Sequence, residues 1–250
     1  MIFTSKDGYE VEVIGETRSS YYLYCKSCGA MNSAPKLSVE DTYLRVCNVG
    51  FIDCDNVEEF KKIKASVAYK VWHGICARVG KRELYKYVEL SAEWHYFSFF
   101  KKFHDINYHD GFVIDKDLRS CRVHKVYSAQ TCSYIPQSLN ALITERSKDK
   151  IPIRYNENTN EYWFNYKVGG YTRPHKVKAK SLEDICRMYS VYRCTRILSV
   201  YSEYWRVLSD DVRKAIETLY DLDRYYERIY AIYTKNPYPV LKQIDEGLLW

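Results

Sequence analysis

Hydrophobic positions change their period along this chain, and each change marks an element. Residues 1–54 alternate apolar and polar side chains in short runs, YEVEVIGE, SSYYLYC and TYLRVCNVGFI, separated by turns. A period of two turns one face of a strand inward and the other outward, so a small β module is expected over 1–56. Residues 57–80 switch to the helical period. Val67, Val71, Trp72, Ile75, Cys76 and Val79 fall on one side, and Gly80 is a suitable stop. A second helical stretch is expected over 83–105, where Trp94, Phe97, Phe100 and Phe103 or His104 share a face. Those aromatics read as core. His73, His95 and His104 read as structural or surface residues, with no partner at ligand spacing.

Asn107 to Gly111 is turn chemistry. FVIDKDL then predicts a strand, and CRVHKVY a second one forming a hairpin with it across a turn at Arg119–Ser120. Ser128 is a good N-cap for a short turn, and Ser138 to Arg146 predicts a helix. After a polar linker, three strands are expected at 152–155, 161–168 and 171–178, the last two joined by a Gly169–Gly170 turn. Ser181 caps a following helix with Glu183 and Asp184 in its first turn, as the helix dipole prefers. Residues 207–233 predict one more amphipathic helix. The expected class is α+β: a small N-terminal β module (1–56), a hairpin-and-helix central domain with flanking helices (57–148), and a three-stranded sheet plus helix with a final helix (149–250).

Composition excludes disorder, with 46% hydrophobic and 28% charged residues. The 26 tyrosines suit both cores and polar surfaces. The net charge of +6 is mild, but ten Lys/Arg stand against five Asp/Glu in 151–206, which makes that segment the first candidate for phosphate contacts. Strand alternation puts Trp163 and Asn165 on one face and Tyr162, Phe164 and Tyr166 on the other. One set packs on the helix and the other is left to meet DNA, with Arg154, Lys167, Arg173, Lys176, Lys178 and Lys180 as the basic candidates. The alternative is a structural unit with a solvated face.

No apolar run is long enough for a membrane span, and the opening MIFTSKDGYEVEV reads as a strand rather than a secretion signal. Nine cysteines in such a chain point to a reducing compartment, with thiols free or bound to metal. Cys25 and Cys28 have the spacing of a zinc knuckle. Cys47 and Cys54 are spaced more widely, so a structural Zn²⁺ stands beside the alternative of thiols buried as small hydrophobes.

Asp115 and Asp117 supply the hard oxygens that Mg²⁺ takes, Asn140 adds an amide oxygen from the next helix, and His109 and His124 are candidate bases. By itself, a pair of aspartates around a lysine is usually a solvated turn.

The ordered pieces YKVWHGICARV, VELSAEWHYFSFFKKFHD and GFVIDKDL…KVYSAQTCSYIPQSLNALI, over residues 66–146, resemble a family of bacteriophage HNH-type (His-Me finger) endonucleases. These are often homing-like, and many carry an AP2-like DNA-binding domain after the nuclease. YNENTNEYWFNYKVGGYTRPHKVKAKSLEDICRMYSVYR is similar, more loosely, to that AP2-like module, and the cysteines to the short zinc-binding modules some such proteins carry. The resemblance implies a ββα-metal central domain. It also implies a Mg²⁺-dependent DNA endonuclease of homing type, acting on double-stranded DNA in the cytoplasm of the infected bacterial host; the sequence leaves the oligomeric state open, with a monomer favoured. Asp115 and Asn140 match the family's metal-binding Asp and Asn. Lys116 stands where better-known members have the histidine base, and the middle Asn of the HNH triad has no clear match, Arg122 to His124 lying near its place. A lysine is a base only when uncharged, and two flanking carboxylates favour the charged form. Either His109 or His124 then activates water, or the chain is a catalytically degenerate scaffold that binds DNA or protein without cutting.

Overall fold

The computed structural model describes residues 1–81, 87–119, 125–143, 152–166 and 175–234. The class is α+β, with several small sheets instead of one large one. The chain divides into two compact units, Met1–Asp110 with Ile114–Tyr134, and Gly111–Val113 with Ile135–Trp250.

The first unit opens with five antiparallel strands in sequential order, β1 (Ile2–Thr4), β2 (Glu10–Glu16), β3 (Ser20–Tyr24), β4 (Ala30–Pro35) and β5 (Ile52–Asp53). The alternation read from the sequence is present: Val11, Leu23, Ala30 and Ala34 turn inward onto Leu44 and Phe51. Asp7 fastens the loops around this sheet. Its carboxylate accepts from Ser5 Oγ at 2.7 Å, the Leu44 and Arg45 amides at 2.9 and 3.1 Å, and Arg45 Nε at 3.2 Å. Burial pushes this carboxyl up, and those donors outweigh it and hold it below its ordinary range.

The helical stretch expected over 57–80 is two helices, α1 (Val57–Ala65) and α2 (Val67–Lys81). Ser66 separates them because its backbone is extended and its Oγ accepts from the Tyr69 amide at 3.1 Å, so it caps the start of α2. The stretch expected over 83–105 also differs. Its described part holds β6 (Val88–Leu90), a single 3₁₀ turn at Glu93–His95 and α3 (Phe97–Asn107). Val88 and Leu90 are buried on alternate positions, which is the strand pattern. The aromatic core foreseen there is real: Trp72, Trp94, Phe97 and Phe100 are fully buried, and the Trp72 indole donates to the Trp94 carbonyl at 2.8 Å. Gly50 packs so closely on this core that a Cβ would lie 2.4 Å from the Trp72 ring.

Pairing beyond α3 departs from the expected hairpin. Ser120 of the expected turn and residues 121–124 lie outside the described residues; among the described residues, β7 (Phe112–Asp115) does not pair with Lys125–Tyr127 of CRVHKVY. That strand, β8 (Lys125–Tyr127), runs parallel to β6, and β7 pairs instead with β9 (Ser133–Pro136). The chain crosses between the two units within β7 and β9.

The second unit contains α4 (Gln137–Ile143), the three antiparallel strands β10 (Arg154–Asn156), β11 (Glu161–Tyr166) and β12 (His175–Ala179), then α5 (Leu182–Tyr204), α6 (Asp210–Leu219) and α7 (Leu222–Thr234). The Ser181 cap is formed: its side chain accepts from the Asp184 amide at 3.0 Å. The single helix expected over 207–233 is interrupted by Asp221, whose carboxylate accepts from the Arg224 amide at 3.1 Å and starts α7. The proposed Gly169–Gly170 turn lies outside the described residues. Among the described residues no helix is long and apolar enough to cross a membrane.

Candidate functional site

The sheet β10–β12 is built from local signals. Asn160 takes a left-handed conformation (φ 48°), and the Asn156 side chain accepts from the Asn158 amide at 3.0 Å, closing the turn between β10 and β11. The resulting register places Arg154, Trp163 and Lys178 in one row and Asn165 opposite Lys176. Because side chains alternate, Phe164 points the other way. It is buried against α5, with ring centroids 5.2 Å from Tyr189 and 6.0 Å from Tyr192.

The face turned away from α5 carries Arg154, Trp163, Asn165, Lys176 and Lys178. Arg154, Asn165, Lys176 and Lys178 are exposed, and Trp163 is half-buried. The Lys176 ammonium sits 4.1 Å from the Trp163 ring centroid and the Arg154 guanidinium 5.4 Å from it. The indole thus orders two cations without neutralising them. Lys178 pairs with Glu161 at 2.7 Å, and this hydrogen bond draws the Glu161 carboxyl below its ordinary range. Lys180 follows β12 and is exposed. Lys167 and Arg173 lie outside the described residues. The chemistry available here is a cationic rim around an aromatic plate with one amide, suited to phosphates, sugars and base edges.

The acidic turn after β7 has the opposite character. Asp115 Oδ1 accepts from the Asp117 amide at 3.0 Å and the Leu118 amide at 2.8 Å, so the first aspartate caps its own turn. Lys116 is buried, only 6% exposed, and its ammonium donates to Asp117 Oδ1 at 2.6 Å. Lys125 reaches the same oxygen at 3.3 Å. The Lys116 ammonium also lies 5.8 Å from the Tyr127 ring, whose hydroxyl accepts from Arg78 at 2.9 Å. Burial pushes the Asp115 carboxyl up, and the Leu118 amide only partly opposes it. Burial acts the same way on Asp117, but the hydrogen bond and charge of Lys116, joined by Lys125, hold that carboxyl below its ordinary range.

The sequence points to Asp115, Lys116 and Asp117, and the structure brings Lys116 and Asp117 together with Lys125 and Tyr127, to which no sequence motif points. The signal for Lys125 is absent from local sequence, because it arrives on β8 from beyond the turn. Asn140 lies on α4 in the second unit, whereas Asp115 belongs to the first. His109 is exposed just after α3, and His124 lies outside the described residues. His104 is buried, and its Nδ1 is 2.6 Å from the Tyr134 hydroxyl, in keeping with a structural role.

The four cysteines fall in two places. Cys25 and Cys28 flank the turn between β3 and β4, which is closed by a bond from the Gly29 amide to the Cys25 carbonyl at 2.9 Å, and both pack in the cluster under the five-stranded sheet. Cys47 and Cys54 belong to the other core cluster of that unit. The Cys54 sulfur is 3.9 Å from Met31 Sδ, and Cys47 Sγ is 3.7 Å from His73 Nε2. Burial pushes the Cys28 thiol up to about 11 and the Cys54 thiol up to about 12. Among the described residues no three His, Cys, Asp or Glu side chains gather as metal ligands. Comparison with known proteins found no matching family model, no matching curated protein and no matching solved structure.

Proposed function

We propose that this chain is a duplex-DNA-binding protein that docks through the exposed face of β10–β12. We propose also that the segment from β7 to α4 is the hydrolytic part of a Mg²⁺-dependent, homing-type HNH endonuclease, acting in the cytoplasm of the infected bacterial host. The observation that carries the docking half is the row Arg154, Trp163 and Lys178, with Lys176 stacked on the indole. Arg154, Lys176 and Lys178 would meet phosphates. Trp163 would lie against sugar or a thymine methyl, and Asn165 has the paired donor and acceptor that adenine presents to.

For hydrolysis, Asp115 is the carboxylate that fits a hard cation. Its Oδ1 is committed to two amides, while Oδ2 makes no hydrogen bond among the described residues. A bound Mg²⁺ would supply positive charge on the scissile phosphate and favour the ionised form of a carboxyl that burial pushes up. Lys116, committed to Asp117, is assigned no base role, which falls to His109 or His124. A specific observation favours the rival, a degenerate scaffold that binds without cutting: two lysines already neutralise Asp117, so this turn needs no metal to balance it.

Incubating the purified protein with supercoiled plasmid and Mg²⁺ separates the two. Nicking that disappears in Asp115→Ala supports hydrolysis, and no nicking under several divalent metals sinks it. Retention of duplex DNA that falls with salt and is lost in Lys176→Ala/Lys178→Ala supports docking in either case.

A further inference from the structure

α4, described over Gln137–Ile143, carries Asn140. Two of its backbone carbonyls accept hydrogen bonds from side chains of the helical part of the second unit. Arg193 on α5 donates through Nη2 to the Leu142 carbonyl at 2.5 Å, and the buried Tyr220 hydroxyl, just past α6, donates to the Ile143 carbonyl at 3.1 Å. Arg193 is itself held, with a hydrogen bond to Tyr225, and the Arg228 guanidinium stacks 4.7 Å from that ring.

The position of Arg193 gives the clamp a second end. The preceding residue on α5, Tyr192, packs against Phe164 of β11, as does Tyr189 one turn earlier. Phe164 is the inward neighbour of Trp163 and Asn165 on the exposed face. One rigid helix therefore touches both the underside of the candidate DNA-docking sheet and the end of the helix that bears Asn140.

We infer that Arg193 and Tyr220 are positioning residues that fix α4, and with it Asn140, to the helix backing the β10–β12 sheet, so that DNA seated on the sheet steadies α4. The inference rests on the docking and hydrolytic roles proposed above and adds the residues that couple them. Neither side chain need touch DNA or metal.

Hydrogen exchange on the full-length chain tests this without depending on cleavage. In Tyr220→Phe and Arg193→Met, amides of α4 are expected to exchange about fivefold faster than in wild type, the loss of one hydrogen bond's worth of protection. Amides of β10–β12 and the affinity for a duplex oligonucleotide should be unchanged. Adding the duplex should slow α4 exchange in wild type and do so less in the variants. If Arg193→Met fails to fold, Tyr220→Phe, which removes a single hydroxyl, carries the experiment. Wild-type exchange in α4 of the variants, faster exchange shared equally by the sheet, or an α4 indifferent to DNA in the wild type would overturn it. Plasmid nicking measured on the same samples judges the other proposal separately: a fall in kcat with KM unchanged is expected, whereas a wild type that never nicks removes hydrolysis and leaves the exchange result to decide the clamp.

Discussion

The sheet face of β10–β12 and the turn after β7 are both made of a few charges beside an aromatic ring, yet they dispose of those charges in opposite ways. On the sheet, Lys176 and Arg154 lie over Trp163 and remain exposed. In the turn, Lys116 is buried and Asp117 takes both Lys116 and Lys125. Charges left facing solvent can exchange water and counterions for a partner's phosphates. Charges already satisfied internally mainly hold a loop in shape. Residue type alone therefore does not separate a docking face from a structural turn. What separates them is burial and the number of partners: Lys178 stays half-exposed while paired with Glu161, whereas Lys116 is buried and Asp117 takes two lysines.

The largest expected effect contrasts two consecutive residues on opposite sides of β11. Phe164→Ala should cost about 3–5 kcal/mol of stability, as for other buried aromatics, and DNA retention would fall only because the unit unfolds. Trp163→Ala should leave the melting temperature nearly unchanged while weakening DNA retention. Thermal melts beside duplex titrations check both, and equal destabilisation by the two would erase the distinction between the faces. Next in size, Lys116→Met should cost about 1–3 kcal/mol, because it removes a buried donor and leaves Asp117 with Lys125 alone, whereas Lys178→Ala on the sheet should cost under about 0.5 kcal/mol. Denaturant midpoints at equal slope compare them.

The smallest effect concerns pH, and its sign differs within the turn itself. Asp117 is lowered from the ordinary 3.8, so its stabilisation is present above that value and disappears as pH falls through the folded value. Asp115 is raised from 3.8, so its ionisation costs stability as pH rises through the folded value. Hence Asp117→Asn should lower stability at neutral pH and Asp115→Asn should raise it, with both differences shrinking below the ordinary carboxylate range. Because Asp117 is 55% exposed, its share is further reduced by solvent screening. Melting temperatures of the two variants between acid and neutral pH read these signs.

What the sequence could disclose follows distance along the chain. The Ser181 cap, the acidic first turn of α5 and the alternation of Trp163 with Phe164 depend on neighbours within a few residues, and all are present. The break at Ser66 within the helical stretch 57–80 has no signal in the apolar period, because it depends on an extended backbone and on how the Ser66 hydroxyl turns. Aromatic spacing nearby favours a helix at 88–90; the strand's partner, β8, comes from far along the chain, and the pairing wins over local preference. The same applies to β9 replacing β8 beside β7. Of the candidate sites, the sheet face was legible because it is a single three-stranded unit. The ion pair of Lys125 with Asp117 was not, since it joins two elements whose approach no local pattern encodes.

The decisive quantity is the salt dependence of duplex binding. For wild type, log K against log [salt] should fall steeply and linearly, and the triple variant Arg154→Ala/Lys176→Ala/Lys178→Ala should have a slope shallower by about three, near 0.9 for each lost phosphate contact, with affinity down roughly a hundredfold or more. The single variant Lys125→Ala, which alters the internally paired turn, should keep the wild-type slope. A triple variant that binds duplex DNA with the wild-type slope would contradict the assignment of this face to DNA.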